Sequence, residues 1–321
     1  MSDHIKNILL VGTGAMAVAY CKVLKDMENV KFTVVGRSES KCEIFQKETT
    51  VSPISGGVMG FLRQSQEKYD YAINAVNIED LQSVTKSLME YGIKNILIEK
   101  PAFLNYVDAD ELEELNRIYK CNLYVAYNRR FYASVIAGKK MIEEDGGITS
   151  IEFSFTEWVK ALANMGLSQA KLNKLFFGNS THVIDLAFYL AGEPEQMYCI
   201  VDGKNTIEWH PQGSIFVGCG VTNKNAIFSY HADWNAPGRW WVEVNTNVHK
   251  FIYRPLEKLQ IQEQNSVQAN FVDIDYTLDE KYKPGLYLEV ETFLNKSQKD
   301  DLVSLQVFSE LCKIYERIEK G

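Results

Sequence analysis

Apolar and polar positions follow two different patterns along this chain, and the change comes near residue 123. Before it, short apolar runs at Asn7–Val11, Lys31–Val35, Tyr69–Val76 and Ile93–Ile98 alternate with helix-spaced stretches at Ala17–Asp26, Glu79–Tyr91 and Ala109–Lys120. Strands separated by helices predict parallel pairing with crossover connections, hence a doubly wound sheet. Leu123–Ala126 supplies one further strand. Beyond it, Ile148–Trp158, Met197–Val201, Ser214–Val221, Ala226–Trp234, Trp240–Thr246 and Lys250–Tyr253 are strand-like, and turns such as Thr222–Asn225 are short enough for hairpins. One helix, Thr181–Ala191, interrupts them and stops at Gly192, and two more, Tyr287–Leu294 and Leu302–Glu319, close the chain. The expected architecture is α/β over residues 1–122, then an α+β domain with a mostly antiparallel sheet over residues 123–321. The C-terminal helix is free to pack back on the first domain.

Composition narrows the class without changing this division. The chain has 321 residues, 46% of them hydrophobic and 24% charged, enough for two ordinary globular cores. Its net charge of −8 opposes nucleic acid and anionic membranes as partners. Cys21, Cys42, Cys121, Cys199, Cys219 and Cys312 show no C-x-x-C pair and no metal-ligand spacing, so they read as reduced and mostly packed, with no metal expected. The apolar stretch Ile8–Leu24 lacks the flanks of a signal peptide, and a cytoplasmic location is expected.

"LLVGTGAMA" places Gly12, Gly14 and Ala17 in a G-x-G-x-x-A pattern after a strand and at the opening of a helix. In that context Gly12 makes the turn, Gly14 lets the backbone approach a pyrophosphate and Ala17 allows close helix packing. Ala15 and Met16 belong to the same turn. This makes the first domain a Rossmann dinucleotide-binding domain. The second strand ends in "VVGRSES", where none of Val35, Gly36 and Arg37 is the acid that would hold the ribose of unphosphorylated NAD. Arg37 and Ser38 suit a 2′-phosphate, so NADP is expected, with NAD as the alternative if Glu39 serves the ribose.

"LIEKPAFLN" ends the strand Asn95–Ile98 with Glu99, Lys100 and Pro101. Ligands of open parallel sheets lie beyond the carboxyl ends of the strands, where Lys100 falls, and a lysine there could exchange a proton with a substrate oxygen. The ordered set of G-x-G-x-x-A, "EKP", "YNRRF" and "HVIDL" resembles the Gfo/Idh/MocA family of oxidoreductases over nearly the whole chain. The resemblance implies that Lys100 is catalytic and that the bond before Pro101 is cis. It implies that Glu99, the loop Ala75, Val76 and Asn77, and the pair Asn128 and Arg129 lie along the cofactor, and that His182 is a second catalytic residue beside the substrate.

Asp185 lies one turn after His182 and could orient it, or could be a plain first-turn acid. The family often carries an aspartate four residues before the histidine. Here that position is Gly178, and its neighbour Asn179 can bond a hydroxyl but cannot act as a carboxylate. Leu81 likewise stands where many relatives carry a histidine. Trp158, Lys160, Trp234 and Arg239 offer aromatic faces and donors for a sugar-like substrate, although aromatic residues in sheets are more often core, and the Trp240, Trp241 pair should split between the two faces.

These readings predict an NAD(P)-dependent oxidoreductase that moves a hydride to or from a sugar, polyol or sugar derivative. It is expected to form a homo-oligomer through the C-terminal sheet. A dinucleotide-binding sensor of the same fold is the alternative, favoured by Gly178 and opposed by Lys100. An enzyme that borrows and returns the hydride is a third.

Overall fold

The computed structural model describes residues 5–103, 105, 108–295 and 299–321. The chain forms two compact units, Met1–Asn128 with Asp279–Glu310, and Arg129–Leu278 with Leu311–Gly321.

The first unit is built on β1 (Lys6–Val11), β2 (Val30–Val35), β3 (Tyr71–Asn74), β4 (Asn95–Ile98) and β5 (Asn122–Val125), all parallel. Five helices accompany them: α1 (Ala15–Lys25), α2 (Glu39–Thr49), α3 (Val58–Gln64), α4 (Leu81–Tyr91) and α5 (Asp108–Tyr119). The strands are almost wholly apolar because helices cover both faces, and Ile8, Leu9, Leu10, Ile96, Leu97 and Ile98 are fully buried. On α1 the 3.6-residue period turns Ala17, Tyr20, Cys21, Val23 and Leu24 inward. The pattern along the sequence did not announce α2 and α3; α2 is polar, with only Cys42, Phe45 and Thr49 buried, and α3 is just seven residues long. The unit extends beyond the expected boundary at residue 122 because β5 pairs in register with β4.

The second unit carries an eight-stranded sheet formed by β6 (Ser150–Ser154), β7 (Pro194–Asp202), β8 (Ile215–Thr222), β9 (Ile227–Asp233), β10 (Trp241–Asn245), β11 (His249–Tyr253), β12 (Gln260–Glu263) and β13 (Ala269–Phe271). Its order is β13-β12-β11-β10-β6-β9-β8-β7, and only the β6–β9 pair among the described pairings is parallel. Helices α6 (Ala133–Glu144), α7 (Val159–Ala163), α8 (Gln169–Asn173) and α9 (Thr181–Ala191) precede or interrupt the strands. One sheet face packs on α9 through Phe153, Phe155, Phe176, Phe188, Phe216 and Tyr230, with neighbouring ring centroids 5.5–5.8 Å apart across most of these pairs. The expected strand Ile148–Trp158 stops at Ser154, and Phe155, Thr156 and Glu157 after it are all buried.

The first unit is completed late in the chain. After α10 (Thr277–Lys281) come α11 (Leu286–Leu294) and a two-residue strand, β14 (Val303–Ser304), which pairs antiparallel with β5 and gives the order β14-β5-β4-β3-β1-β2. The helix expected from Leu302 therefore begins at Leu305, as α12 (Leu305–Lys320), after this strand. Phe293 of α11 meets Tyr71 edge-on at 5.3 Å, and Phe308 packs on Phe103 and Tyr127. The return to the first unit is thus made by α11, β14 and the opening turns of α12.

All six cysteines are free, and four of them, Cys21, Cys42, Cys121 and Cys312, are buried. Among the described residues no helix is long and apolar enough to cross a membrane.

Candidate functional site

The carboxyl ends of β1, β2, β3 and β4 bring together most of the residues expected to hold a dinucleotide. Gly12 ends the β1 turn at φ +121°, a conformation side chains rarely adopt, and a Cβ there would stand 2.3 Å from the carbonyl oxygen of Ala75. The glycine turn is therefore pressed against the loop Ala75, Val76 and Asn77. Gly14 opens α1, and nothing lies within 4 Å of where its Cβ would be. No side chain caps α1, so the amides of Ala15 and Met16 stand as the first donors of an 11-residue helix. Open space, bare backbone and a helix N-terminus fit a pyrophosphate.

Arg37, at the end of β2, is 72% exposed and bonds Asp80 Oδ2 at 3.1 Å. Ser38 occupies the N-cap position of α2 without making a side-chain capping bond. Asp80 is an acid that the motif reading missed. It lies in the loop between β3 and α4, and only the fold places it beside Arg37.

Lys100 follows β4 through a cis bond to Pro101. Only 8% exposed, it carries its ammonium 5.7 Å from the centre of the Tyr127 ring. Glu99 turns its side chain toward α1, where Oε1 accepts from the Tyr20 hydroxyl at 2.8 Å and Oε2 from the Lys100 N–H at 3.1 Å. Burial is the main cause that pushes the Glu99 carboxyl up, and Lys283 is the largest opposing influence. Asn128 donates its side-chain N–H to the Pro284 carbonyl at 2.8 Å, within the same unit. Leu81 is fully buried, a core residue at the start of α4.

The second unit gathers a separate polar cluster. His182, the second residue of α9, lies against Trp240 with ring centroids 6.4 Å apart. Arg129 stacks on the same indole at 4.8 Å and Arg239 at 4.1 Å; Arg239 also covers Trp158 at 4.8 Å. Trp158 is 57% exposed and fixes its ring by donating Nε1–H to Gly238 O at 2.7 Å. Lys160 is exposed on α7.

Glu157 lies within this cluster, and the sequence reading did not single it out. It is 1% exposed, accepting from Asn179 Nδ2 at 3.0 Å on each oxygen, from Ser180 Oγ at 2.8 Å and from Arg239 Nη1 at 3.2 Å. Burial pushes its carboxyl up to about 7, against the opposing pull of Ser180, Arg239, Trp240 and Asn179. A signal for it did exist. Ile151, Phe153 and Phe155 point inward at period two, and Glu157 is the next position of that series.

Two expected substrate residues are placed elsewhere. Asp185 is fully buried on α9 and receives Arg130 Nε at 2.9 Å and Nη2 at 2.6 Å, so its two oxygens serve a bidentate ion pair. Trp234 is 2% exposed among Phe176, Trp209, His210 and Phe216, and gives its indole N–H to Phe155 O at 3.2 Å. It is a core residue. A charge inside the otherwise apolar run "VIDLAFYLA" needed a partner, and that was the available signal for Arg130.

A parallel sheet with a glycine turn and a lysine at a strand end defines a nucleotide-binding oxidoreductase architecture. Residues 6–127 match the model of the Gfo/Idh/MocA oxidoreductases, an oxidoreductase family with an NAD-binding Rossmann fold. No curated protein matches the chain by sequence. Solved structures share the fold over nearly its full length. An oxidoreductase from Agrobacterium radiobacter, solved with NAD+, L-tartaric acid and magnesium, is 11% identical with a TM-score of 0.76, covering 97% of this chain and 94% of that one. UDP-N-acetylglucosamine 3-dehydrogenase from Acidithiobacillus ferrooxidans is 14% identical with a TM-score of 0.74, covering 98% and 96%. Levoglucosan dehydrogenase, in complex with NADH and levoglucosan, is 17% identical with a TM-score of 0.75, covering 98% and 95%.

Proposed function

We propose that this protein oxidises a secondary alcohol of a polyol, sugar or sugar derivative, or reduces the matching carbonyl, with NADP(H) as its redox partner. The observation that carries the reading is the position of Lys100, a nearly buried ammonium at the carboxyl end of β4 in the sheet that also carries the glycine turn. The dinucleotide, when bound, supplies or accepts the hydride. Gly12, Gly14, Ala15 and Met16 bind its pyrophosphate, and the Ala75, Val76, Asn77 loop and the Glu99 and Asn128 backbones border it. Lys100 gives a proton to, or takes one from, the substrate oxygen, and His182 assists as proton donor or orienter. Arg129 stays a cofactor-side candidate with Asn128, and Asn179, Trp158 and Lys160 are the substrate-side candidates. The sugar dehydrogenases among the structural relatives support the substrate class.

The test is a panel of sugars, nucleotide sugars and polyols followed by nicotinamide absorbance with both cofactors. Turnover of a hydroxyl compound supports the reading. A dinucleotide that binds in calorimetry, with no turnover anywhere on the panel, favours the sensor instead, a possibility that Gly178 keeps open.

The preference for NADP rests on Arg37 and Ser38. A 2′-phosphate must draw Arg37 from Asp80, and because that pair is exposed its loss costs little. Arg37→Ala is expected to weaken NADP(H) by roughly tenfold or more and to leave NAD(H) nearly unchanged, measured by calorimetric titration. Equal losses for the two cofactors would remove the argument for NADP.

The outer face of the second unit's sheet supports self-association. Tyr198, Ile200, Val217 and Ile227 are exposed there, and Tyr198, Ile200, Val217 and Trp241 help to line a hollow of about 380 Å³. A second copy of the chain is the occupant we propose. Ile200→Asp with Ile227→Asp should shift the species seen by light scattering toward the monomer, and an unchanged mass would dismiss this face.

A further inference from the structure

Within the second unit, one carboxylate governs several groups whose own chemistry suits hydroxyl recognition. Glu157 follows β6, Asn179 and Ser180 belong to the π-helical turn Phe176–Ser180 that leads into α9, and Arg239 and Trp240 precede β10. A carboxylate only accepts, so the amide of Asn179 must present its NH2 group to Glu157 and turn its Oδ1 away. Arg239 gives one N–H to Glu157 and lies over the rings of Trp240 and Trp158, with its side chain 44% exposed. Its other donors remain in the plane of the guanidinium.

We propose that Glu157 is a positioning residue of a diol-binding site in the second unit: it fixes the Asn179 carbonyl oxygen as an acceptor and Arg239 as a donor, for two neighbouring hydroxyl groups of the substrate. This deepens the sugar or polyol reading and rests on it for the identity of the ligand. It also accounts for a turn before His182 that carries Gly178 where a carboxylate would be expected. The negative charge is present in the cluster, supplied from the strand side by Glu157.

The charged groups around Glu157 set how its protonation is read. Arg239 faces it from the segment before β10. Arg129 stacks on Trp240 and has Tyr132 and Glu257 about it, and His182 flanks Trp240 from α9. A charged Glu157 holds Arg239; a protonated one offers it a weaker acceptor. The hold should therefore be present above about pH 7 and lost below it. Imidazoles titrate in the same region, so His182 must be separated from it experimentally.

Tryptophan fluorescence of the whole protein, followed from pH 5 to 9, reports the stacking of Arg239 on Trp158 and Trp240. We expect a transition with its midpoint near 7 that persists in His182→Gln and disappears in Glu157→Gln. Arg239→Gln, a change at a half-exposed side chain that should not disturb folding, removes the stacked cation and must abolish the transition as Glu157→Gln does. A titration that is the same in the wild type, Glu157→Gln and Arg239→Gln would overturn the proposal, as would one that vanishes only in His182→Gln. On the best compound from the panel, Glu157→Gln should raise KM by about tenfold or more, lower kcat less, and lose the acid-side inflection of kcat/KM. An unchanged KM and an unchanged pH profile would also overturn it. Should no compound turn over, the functional reading fails, and the fluorescence titration still decides whether Glu157 holds Arg239.

Discussion

Lys100→Ala is expected to lower kcat and kcat/KM together by about a hundredfold or more, while the calorimetric affinity for NADP(H) stays within about twofold. The two readouts separate because the groups are separate. The groups proposed for the pyrophosphate belong to the glycine turn and α1, and those proposed for a 2′-phosphate to the end of β2, whereas Lys100 follows β4. A group that acts chiefly in the transition state affects both kinetic parameters alike. Lys100→Arg should restore little, since a guanidinium stays charged at any working pH and cannot return a proton. A Lys100→Ala enzyme that kept most of its activity would move the proton chemistry to the His182 cluster.

Asp185→Ala should produce the largest loss of stability of any change discussed, about 3–5 kcal/mol in denaturant unfolding, because it removes the bidentate carboxylate from the buried Arg130 guanidinium. Arg130 also lies over the Tyr189 ring at 4.6 Å, so its aromatic packing would remain while its counter-charge was gone. Replacing both partners, Arg130→Met with Asp185→Leu, should recover much of the loss, since the cost lies in an unpaired buried charge more than in the missing attraction. Had Asp185 served to orient His182, the outcome would differ: activity would fall and unfolding would be nearly unchanged.

The contrast between these two residues shows what the sequence could express. The place of Lys100 at the end of a parallel strand was legible because a Lys-Pro step ending an apolar run is a local signal. The glycine turn was legible for the same reason. Asp185 was read through its spacing to His182, a local relation, while its actual partner is fifty-five positions earlier and is set by the packing of α9. Glu157, Asn179 and Arg239 come from three separate stretches of chain, and nothing in any one of them names the other two. Six of the eight strands of the second unit were found, since alternation with one buried face is a strong signal, whereas β12 and β13, short and without a fully buried side chain, were not. Helices α2 and α3 were not, because α2 buries only three side chains and leaves a weak period.

The pairing of β14 with β5 has a consequence for the birth of the molecule. A ribosome releases the chain from its N-terminus, so the sheet of β1 to β5 emerges well before the residues that complete it, and Arg129–Leu278 of the second unit must be synthesised in between. Until Val303 arrives, β5 is an open edge, and Tyr71 and Phe103 lack the aromatic rings of Phe293 and Phe308. The nascent first unit therefore waits through more than half of the synthesis with exposed apolar surface and an unpaired strand, the condition in which a holding chaperone has most to bind.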